Sequence, residues 1–135
     1  MRQIKFRGKR LDNGVWIYGD LIHIDKSDIG IVTDYDHWSG CRINPDTVGQ
    51  FTGLTDCNGK EIYEGDIISS PLNYVVIVKF GYKEHRVRHH GVEDSFAAYG
   101  WIAENIQNGI TDFLDNEILQ GKVIGNIYDN PELLK

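Results

Sequence analysis

The sequence contains few cysteines and prolines and no long apolar run. Its 135 residues include 2 cysteines and 3 prolines. Cys41 and Cys57 lack CxxC spacing and have no histidine pairs to complete a zinc site, so we expect reduced thiols in a cytosol-like compartment. The longest apolar run, Tyr74 to Val78, is stopped by Lys79, well short of the ~18 residues of a membrane-spanning helix. We therefore expect a cytoplasmic protein with no membrane partner.

The length and the glycine content indicate a compact domain with many turns. The mass of 15.4 kDa predicts a single domain over residues 1–135, since a chain of this size buries roughly 68% of its unfolded surface without disulfides. The 15 glycines form no tract, so we expect them in tight turns rather than in a flexible linker.

Charge is distributed unevenly along the chain. Residues 1–10 carry a charge of +5, and the other 125 residues carry −11, for a net charge of −6. In the basic segment, Lys5, Arg7 and Lys9 alternate with apolar residues and are expected on one face of a strand. We favour pairing of this face with acidic groups in the fold or in another subunit, because charge runs usually are paired or solvated surfaces. Contact with nucleic acid through a local basic patch is the alternative.

Two Asn-Gly pairs predict β-hairpins. Asn13-Gly14 precedes Val15 to Ile24, which is rich in β-branched and aromatic residues. Asn58-Gly59 lies between Val48 to Gly53 and Gly65 to Ser69, the expected strands of a second hairpin. These signals predict a mainly β fold, a single domain of antiparallel hairpins arranged as two small sheets or barrel-like lobes, with little helix. An α+β fold is the alternative.

Further along the chain the pattern predicts three more strands, a loop and a closing turn. The strands are expected over Ile29 to Thr33, Tyr74 to Phe80 and Ser95 to Ala103, the loop over Asp34 to Pro45, and a final helical turn after Asn130. Residues 111–119 fit either a helix or a hairpin, and the two remain open.

The two hairpin motifs are also similar to each other. Each has an Asn-Gly turn followed by a Gly-Asp pair before two apolar residues, at Gly19-Asp20 and Gly65-Asp66. We interpret the glycine as a bend or bulge at which a strand changes sheet. Asp20 and Asp66 as paired catalytic acids are the disfavoured alternative, because an acid in this position commonly binds the backbone of the turn.

The segment from Glu84 to His90 is the sharpest candidate for a site. His85 and His89 are four residues apart, as two metal ligands on a helix would be. Flanking glycines favour a strand instead, with Arg86 and Arg88 on the opposite face from these histidines. We favour an exposed hairpin without a ligand over a basic contact surface and over a metal site, and no cofactor is expected.

No catalytic motif is present, and the aromatics favour a structural role. GxSxG, GxGxxG and HExxH are missing, so the chain is not expected to be an enzyme. The aromatics on expected strands could stack on single-stranded nucleic acid, but we favour a core position for them. These are Trp16, Tyr18, Phe51, Tyr63 and Trp101.

Four parts of the sequence resemble the YopX family of phage and prophage proteins. The resemblance is carried by VGQFTGLTDCNGKEIYEGDII, which starts at Val48, by VIGNIYDNPELL, which starts at Val123, by the start MRQIKFRGKR, and by GVWIYGDL. It implies a phage or prophage accessory protein in the cytoplasm of the host cell, and it assigns no activity.

Three functions remain as hypotheses. We favour an interaction protein that forms a homo-oligomer, with other protein partners open. The second is a nucleic-acid-binding accessory module that uses Lys5, Arg7 and Lys9 together with Arg86 and Arg88. The third is a metal-assisted hydrolase built on His85 and His89.

Overall fold

The computed structural model describes residues 3–33 and 40–135 and divides into two compact units. The first unit comprises Met1–Leu54 and Glu61–Glu64, and the second comprises Thr55–Lys60 and Gly65–Lys135. Each unit contains one sheet. Many more residues lie in strands than in helices. This confirms the prediction of a mainly β fold with two small sheets over the α+β alternative.

The sheet of the first unit has six strands in the order β4-β3-β2-β1-β5-β6. A 3₁₀ turn at Pro45–Thr47 precedes β5. The six strands are β1 (Phe6–Lys9), β2 (Trp16–His23), β3 (Ile29–Val32), β4 (Gly40–Arg42), β5 (Gly49–Thr55) and β6 (Glu61–Tyr63). The predicted strand at Ile29 to Thr33 is therefore present. Residues 34–39 of the predicted loop lie outside the described residues, and β4 occupies part of the rest.

The sheet of the second unit has five strands in the order β10-β9-β8-β7-β11, and all its strand pairs are antiparallel. A 3₁₀ turn, Pro131–Leu134, closes the chain as expected. The elements are β7 (Asp66–Ser69), β8 (Val75–His89), β9 (Val92–Asn105), β10 (Thr111–Phe113), α1 (Asn116–Leu119) and β11 (Lys122–Asn126). Residues 111–119 thus form a short strand and then a helical turn, which Asp115 caps by accepting a hydrogen bond from the Ile118 N–H.

Both Asn-Gly pairs form the predicted turns. Gly14 and Gly59 adopt φ values of 70° and 79°, in the left-handed region that glycine tolerates. The side chain of Asn13 accepts a hydrogen bond from the Val15 N–H at 2.9 Å. The second hairpin differs from the prediction in its return strand, which is β6. Gly65 to Ser69 is not that strand, because Asp66–Ser69 is β7 of the other sheet.

The repeated Gly-Asp pairs mark changes of strand partner, and the predicted change of sheet occurs at the second pair but not at the first, where β2 stays in one sheet. In β2 the residues up to Gly19 pair with β1, and those from Asp20 onward pair with β3. Gly65, with φ 90°, lies between β6 of the first sheet and β7 of the second. A glycine is therefore found wherever this motif redirects the backbone.

The strand predicted at Tyr74 to Phe80 is much longer than expected. β8 continues to His89 and pairs with β9 without a break from Val76↔Asn105 to His89↔Val92. The two-residue turn at His90 and Gly91 has positive φ at both positions, 49° and 80°, as in the type I′ turns that suit the twist of hairpins.

Each unit has its own apolar core. Strand residues supply most of it, and consecutive ones are buried in four strands, β3, β6, β7 and β9, so both faces of these strands are covered. Burying a large apolar side chain stabilises the fold by about 1.5–3 kcal/mol. The buried apolar residues are Ile31, Val32, Ile43, Phe51, Ile62 and Tyr63 in the first unit and Ile67, Ile68, Val76, Val78, Ile102, Ala103 and Ile118 in the second.

Candidate interaction surfaces

The basic first strand packs its cations against aromatic rings of its own unit. Arg7 is only 5% exposed, and its guanidinium lies 4.7 Å from the ring centre of Trp16 and 5.0 Å from that of Tyr63. The guanidinium also donates a hydrogen bond to the Glu64 carbonyl at 3.3 Å. Stacking of this kind suits the planar, weakly hydrated guanidinium. Arg7 is therefore part of the packed interior of the first unit.

The two lysines of the same strand extend this arrangement. Lys5 forms an ion pair with Glu61 and lies 5.1 Å from the ring centre of Phe51. Lys9 lies 5.4 Å from the ring centre of Trp16. The pairing of Lys5 with an acid in its own fold corresponds to the interpretation that the sequence favoured. The ring of Tyr18 lies 5.4 Å from that of Tyr63, and Tyr18 is 46% exposed, not in the core as expected. We call this group the cation–aromatic cluster, and its members are Lys5, Arg7, Lys9, Trp16, Tyr18, Phe51 and Tyr63.

The other two cations proposed for nucleic-acid contact lie in the second unit. Arg86 and Arg88 are exposed residues of β8. The Arg86 guanidinium lies 3.5 Å from the Glu84 carboxylate and 3.9 Å from that of Glu93. The five predicted cations thus divide between the two units.

The backbone around the histidine segment is extended. His85 and His89 both belong to β8, where residues four apart are separated by about 13 Å. The helical spacing that suggested two ligands for one metal ion does not apply to a strand. Among the described residues, no group of three or more histidine, cysteine, aspartate or glutamate side chains is placed to hold a metal ion.

The remaining sequence candidates are also placed separately. Asp20 is exposed in the first unit, and Asp66 is 2% exposed in the second. Cys41 and Cys57 are free thiols, with Cys57 exposed in the turn before β6.

An exposed apolar surface lies on the paired strands β8 and β9. In the described residues, β7 pairs with β8 only as far as Ile77, and β10 pairs with β9 only from Ile102 onward. The Gly65 N–H also donates to the Val78 carbonyl at 2.8 Å, and the Leu114 N–H donates to the Trp101 carbonyl at 3.1 Å. Beyond these two bonds, the described backbone of residues 79–89 and 92–100 bonds only across the strand pair. We call residues 79–89 and 92–101 the ribbon.

One face of the ribbon carries an aromatic stripe, which we define as Phe80, Tyr82, Tyr99 and Trp101. Phe80 lies opposite Trp101, with ring centres 5.3 Å apart, and Tyr82 lies opposite Tyr99, with ring centres 5.4 Å apart. Exposure is 56% for Phe80, 52% for Tyr82 and 75% for Tyr99. The stripe continues outward from the buried residues Val78 and Ala103, which lie on the same face.

Sequence reasoning missed this stripe, although the chain contains a signal for it. Phe80-Gly81-Tyr82 and Tyr99-Gly100-Trp101 are two aromatic-glycine-aromatic triplets. Gly81 and Gly100 lie opposite each other in the register, and this places all four rings on the other face.

A second group that the sequence analysis overlooked is the carboxylate of Asp56. It is 6% exposed and accepts hydrogen bonds from the backbone N–H groups of Asn58, Lys60 and Val123, each at 2.9 Å. Burial raises the pKa of this carboxyl, but the three hydrogen bonds outweigh burial and hold the pKa below its ordinary value. Asp56 therefore anchors the Asn-Gly turn to β11 in the second unit and plays a structural role.

Comparison with known proteins places the chain in a family. The sequence model for the YopX protein family matches residues 5–135, nearly the whole chain. The chain belongs to the YopX family. This confirms the resemblance drawn from the sequence blocks, and no curated protein matches the chain. Within the part of this YopX chain that the structure describes, no helix has both the length and the apolar character needed to span a membrane.

Proposed function

We propose that this YopX chain is a phage or prophage accessory protein that acts without catalysis, as an interaction protein that assembles with itself in the host cytoplasm. The observation that carries the proposal is the ribbon, where the aromatic stripe stands exposed on two strands that, from Val78 and Trp101 to the turn, bond almost entirely to each other in the described residues. Contiguous exposed apolar patches on protein surfaces mark interaction sites.

The physics of short hairpins supports this proposal. A two-stranded hairpin is at best marginally stable alone in water and gains stability when a face packs against another element. The edges of such a hairpin also expose backbone groups that readily pair with another chain. A partner that covers the stripe would therefore both bury three largely exposed rings and stabilise the ribbon.

Nucleic-acid binding remains the second prediction, and the geometry favours it less. Arg7 is buried between two rings and Lys5 is paired with Glu61, so two of the proposed phosphate contacts already have partners in the fold. Arg86 and Arg88 are exposed, but the net charge of −6 repels polyanions at long range. Metal-assisted hydrolysis, the third prediction, gains no support from His85 and His89 on an extended strand.

The test of self-assembly is the molar mass in solution as a function of concentration. Light scattering on the purified full chain between about 1 and about 300 micromolar should return a mass that rises above 15.4 kDa as concentration increases. A mass of 15.4 kDa at every concentration would contradict the proposal. The same solutions with added single- or double-stranded DNA test the second prediction, because a salt-sensitive complex forms only if phosphates are bound.

A further inference from the structure

The face of the ribbon that carries the aromatic stripe has two chemically different halves. Near the rest of the sheet it presents the four rings, and near the turn it presents two guanidinium groups and a carboxylate. Residues that face the same side alternate along each strand, and the unbroken register pairs them across the strands. The ten residues of this ribbon face are Phe80, Tyr82, Glu84, Arg86 and Arg88 on β8 and Glu93, Ser95, Ala97, Tyr99 and Trp101 on β9.

The two halves are related by their spacing about one central pair, Glu84 opposite Ala97. On β8, the rings of Tyr82 and Phe80 lie two and four residues before Glu84. Arg86 and Arg88 lie two and four residues after it. Every aromatic position on this strand therefore has an arginine at the matching distance on the other side of the centre.

This symmetry makes the ribbon face complementary to itself. A two-fold axis through the Glu84 and Ala97 pair would bring the aromatic half of one copy onto the arginine half of another. Cations, arginine above all, are attracted to the faces of aromatic rings, and a two-fold interface uses the same patch on both copies. The ribbon face is also neutral as a whole, since two glutamates balance two arginines.

We propose that the partner of the ribbon face is the ribbon face of a second copy of this chain, packed antiparallel with the aromatic half of each copy on the arginine half of the other. This inference rests on the proposed self-assembly and specifies its surface. The rings of Tyr82 and Phe80 then lie over Arg86 and Arg88 of the second copy. Those of Tyr99 and Trp101 lie over Ser95 and Glu93, which pair with these arginines across the ribbon. The exposed rings and the exposed guanidinium groups are covered in one step.

The size of the contact predicts its strength. The ribbon face extends over nine residues of β8, or about 30 Å at ~3.4 Å per residue, and it is only two strands wide. The area that such a narrow face can bury is less than the ~800 Å² per partner of a typical stable complex. We therefore expect an association in the micromolar range that reverses on dilution.

The arrangement can be tested by mixing two variants. One lacks two rings of the aromatic half, as Tyr82→Ser with Tyr99→Ser, and the other lacks the guanidinium that faces Tyr82, as Arg86→Ser. All three side chains are exposed, so both variants should keep the parent's circular dichroism spectrum. Each variant alone loses the contact between Tyr82 and Arg86 in both halves of the dimer, and we expect its dissociation constant to rise by at least about tenfold.

An equimolar mixture of the two variants should regain association. The arginine half of the first variant is intact and can cover the intact aromatic half of the second, so one of the two contacts returns. We expect the mixed dimer to be tighter than either variant with itself and weaker than the parent. A mixture no tighter than its separate components would overturn the antiparallel arrangement, as would parent-like association of either variant alone.

Cross-linking gives a second and independent readout. The Glu84→Cys variant is made in a background of Cys41→Ser and Cys57→Ser. Its introduced thiol lies on the two-fold axis, so a short thiol-specific cross-linker should join it to the same thiol of the second copy. The matched control is Lys83→Cys, one residue away on the opposite face, which should join far less. Equal cross-linking at both positions in an oligomeric protein would overturn this surface and leave self-assembly standing. A parent that is monomeric at every concentration would overturn both.

Discussion

At the scale of the residue, the surroundings of Arg7 determine whether its charge stabilises the fold or binds a ligand. An arginine at 5% exposure is stable only with compensating partners, because burying an unpaired charge is costly. The rings of Trp16 and Tyr63 and the carbonyl of Glu64 are among the partners it has. A phosphate could reach this guanidinium only by displacing those rings, so we assign Arg7 to the stability of the first unit.

Asp56 contributes to stability through the opposite charge. Its carboxylate is held by three backbone N–H groups that belong to a turn and to β11. These hydrogen bonds favour the charged form, and the pKa lies below the ordinary value. The stabilisation is therefore complete above the pKa of the unfolded chain, about 3.9, and is lost as the pH falls through the pKa of the folded state.

Replacing this carboxylate should lower stability in a way that depends on pH. For Asp56→Asn we expect a loss of about 1.5–3 kcal/mol in the free energy of unfolding at pH 7, the usual contribution of hydrogen bonds to a charged group. The loss should shrink as the pH falls below about 4, because the carboxyl of the unfolded parent chain is then protonated while the folded one, with its lower pKa, is protonated only at lower pH. Urea unfolding at both pH values measures this. The exposed Asp20→Asn is the control, and equal losses for the two variants would contradict the anchoring role.

At the scale of the element, the ribbon is where local signals were least informative. The predicted strand ended before Gly81, because glycine interrupts strands and most strands are 3–10 residues long. β8 nevertheless continues to His89, because Gly81 meets Gly100 in an unbroken register. Only the pairing partner reveals this, and β9 is not visible from the sequence of β8. The His90 and Gly91 turn is likewise recognised only once both strands are known.

From the conformation of this turn we predict how a substitution in it changes the opening of the ribbon. Gly91 adopts φ 80°, where an L-residue costs roughly 1–2 kcal/mol. We expect Gly91→Ala to open the ribbon more often and to raise the rate of tryptic cleavage after Lys83, Arg86 and Arg88 by about 5- to 30-fold. A matched control is Gly100→Ala, since a Cβ there meets no atom within 4 Å. If both variants are cleaved at the parent's rate, the turn does not hold the ribbon closed.

At the scale of the whole molecule, the sequence predicted the class of fold and the turns but not the surface that we assign to function. Asn13-Gly14 and Asn58-Gly59 were reliable because the chemistry of a turn is local. The five candidate cations were harder to place, because the rings that cover Arg7 come from β2 and β6. The aromatic stripe combines residues 80–82 and 99–101, which only the long hairpin brings together.

The most direct test of the central claim, self-assembly through the ribbon, is amide hydrogen exchange at a series of protein concentrations. Exchange in a marginally stable element reports its local opening, and binding suppresses opening by mass action. We expect amides of residues 79–89 and 92–101 to exchange more slowly as concentration rises, while those that exchange by local opening in the first unit, such as Gly14 and Val15 of the Asn-Gly turn, stay unchanged. Ribbon exchange that is independent of concentration, in a protein shown to be oligomeric, would contradict the account.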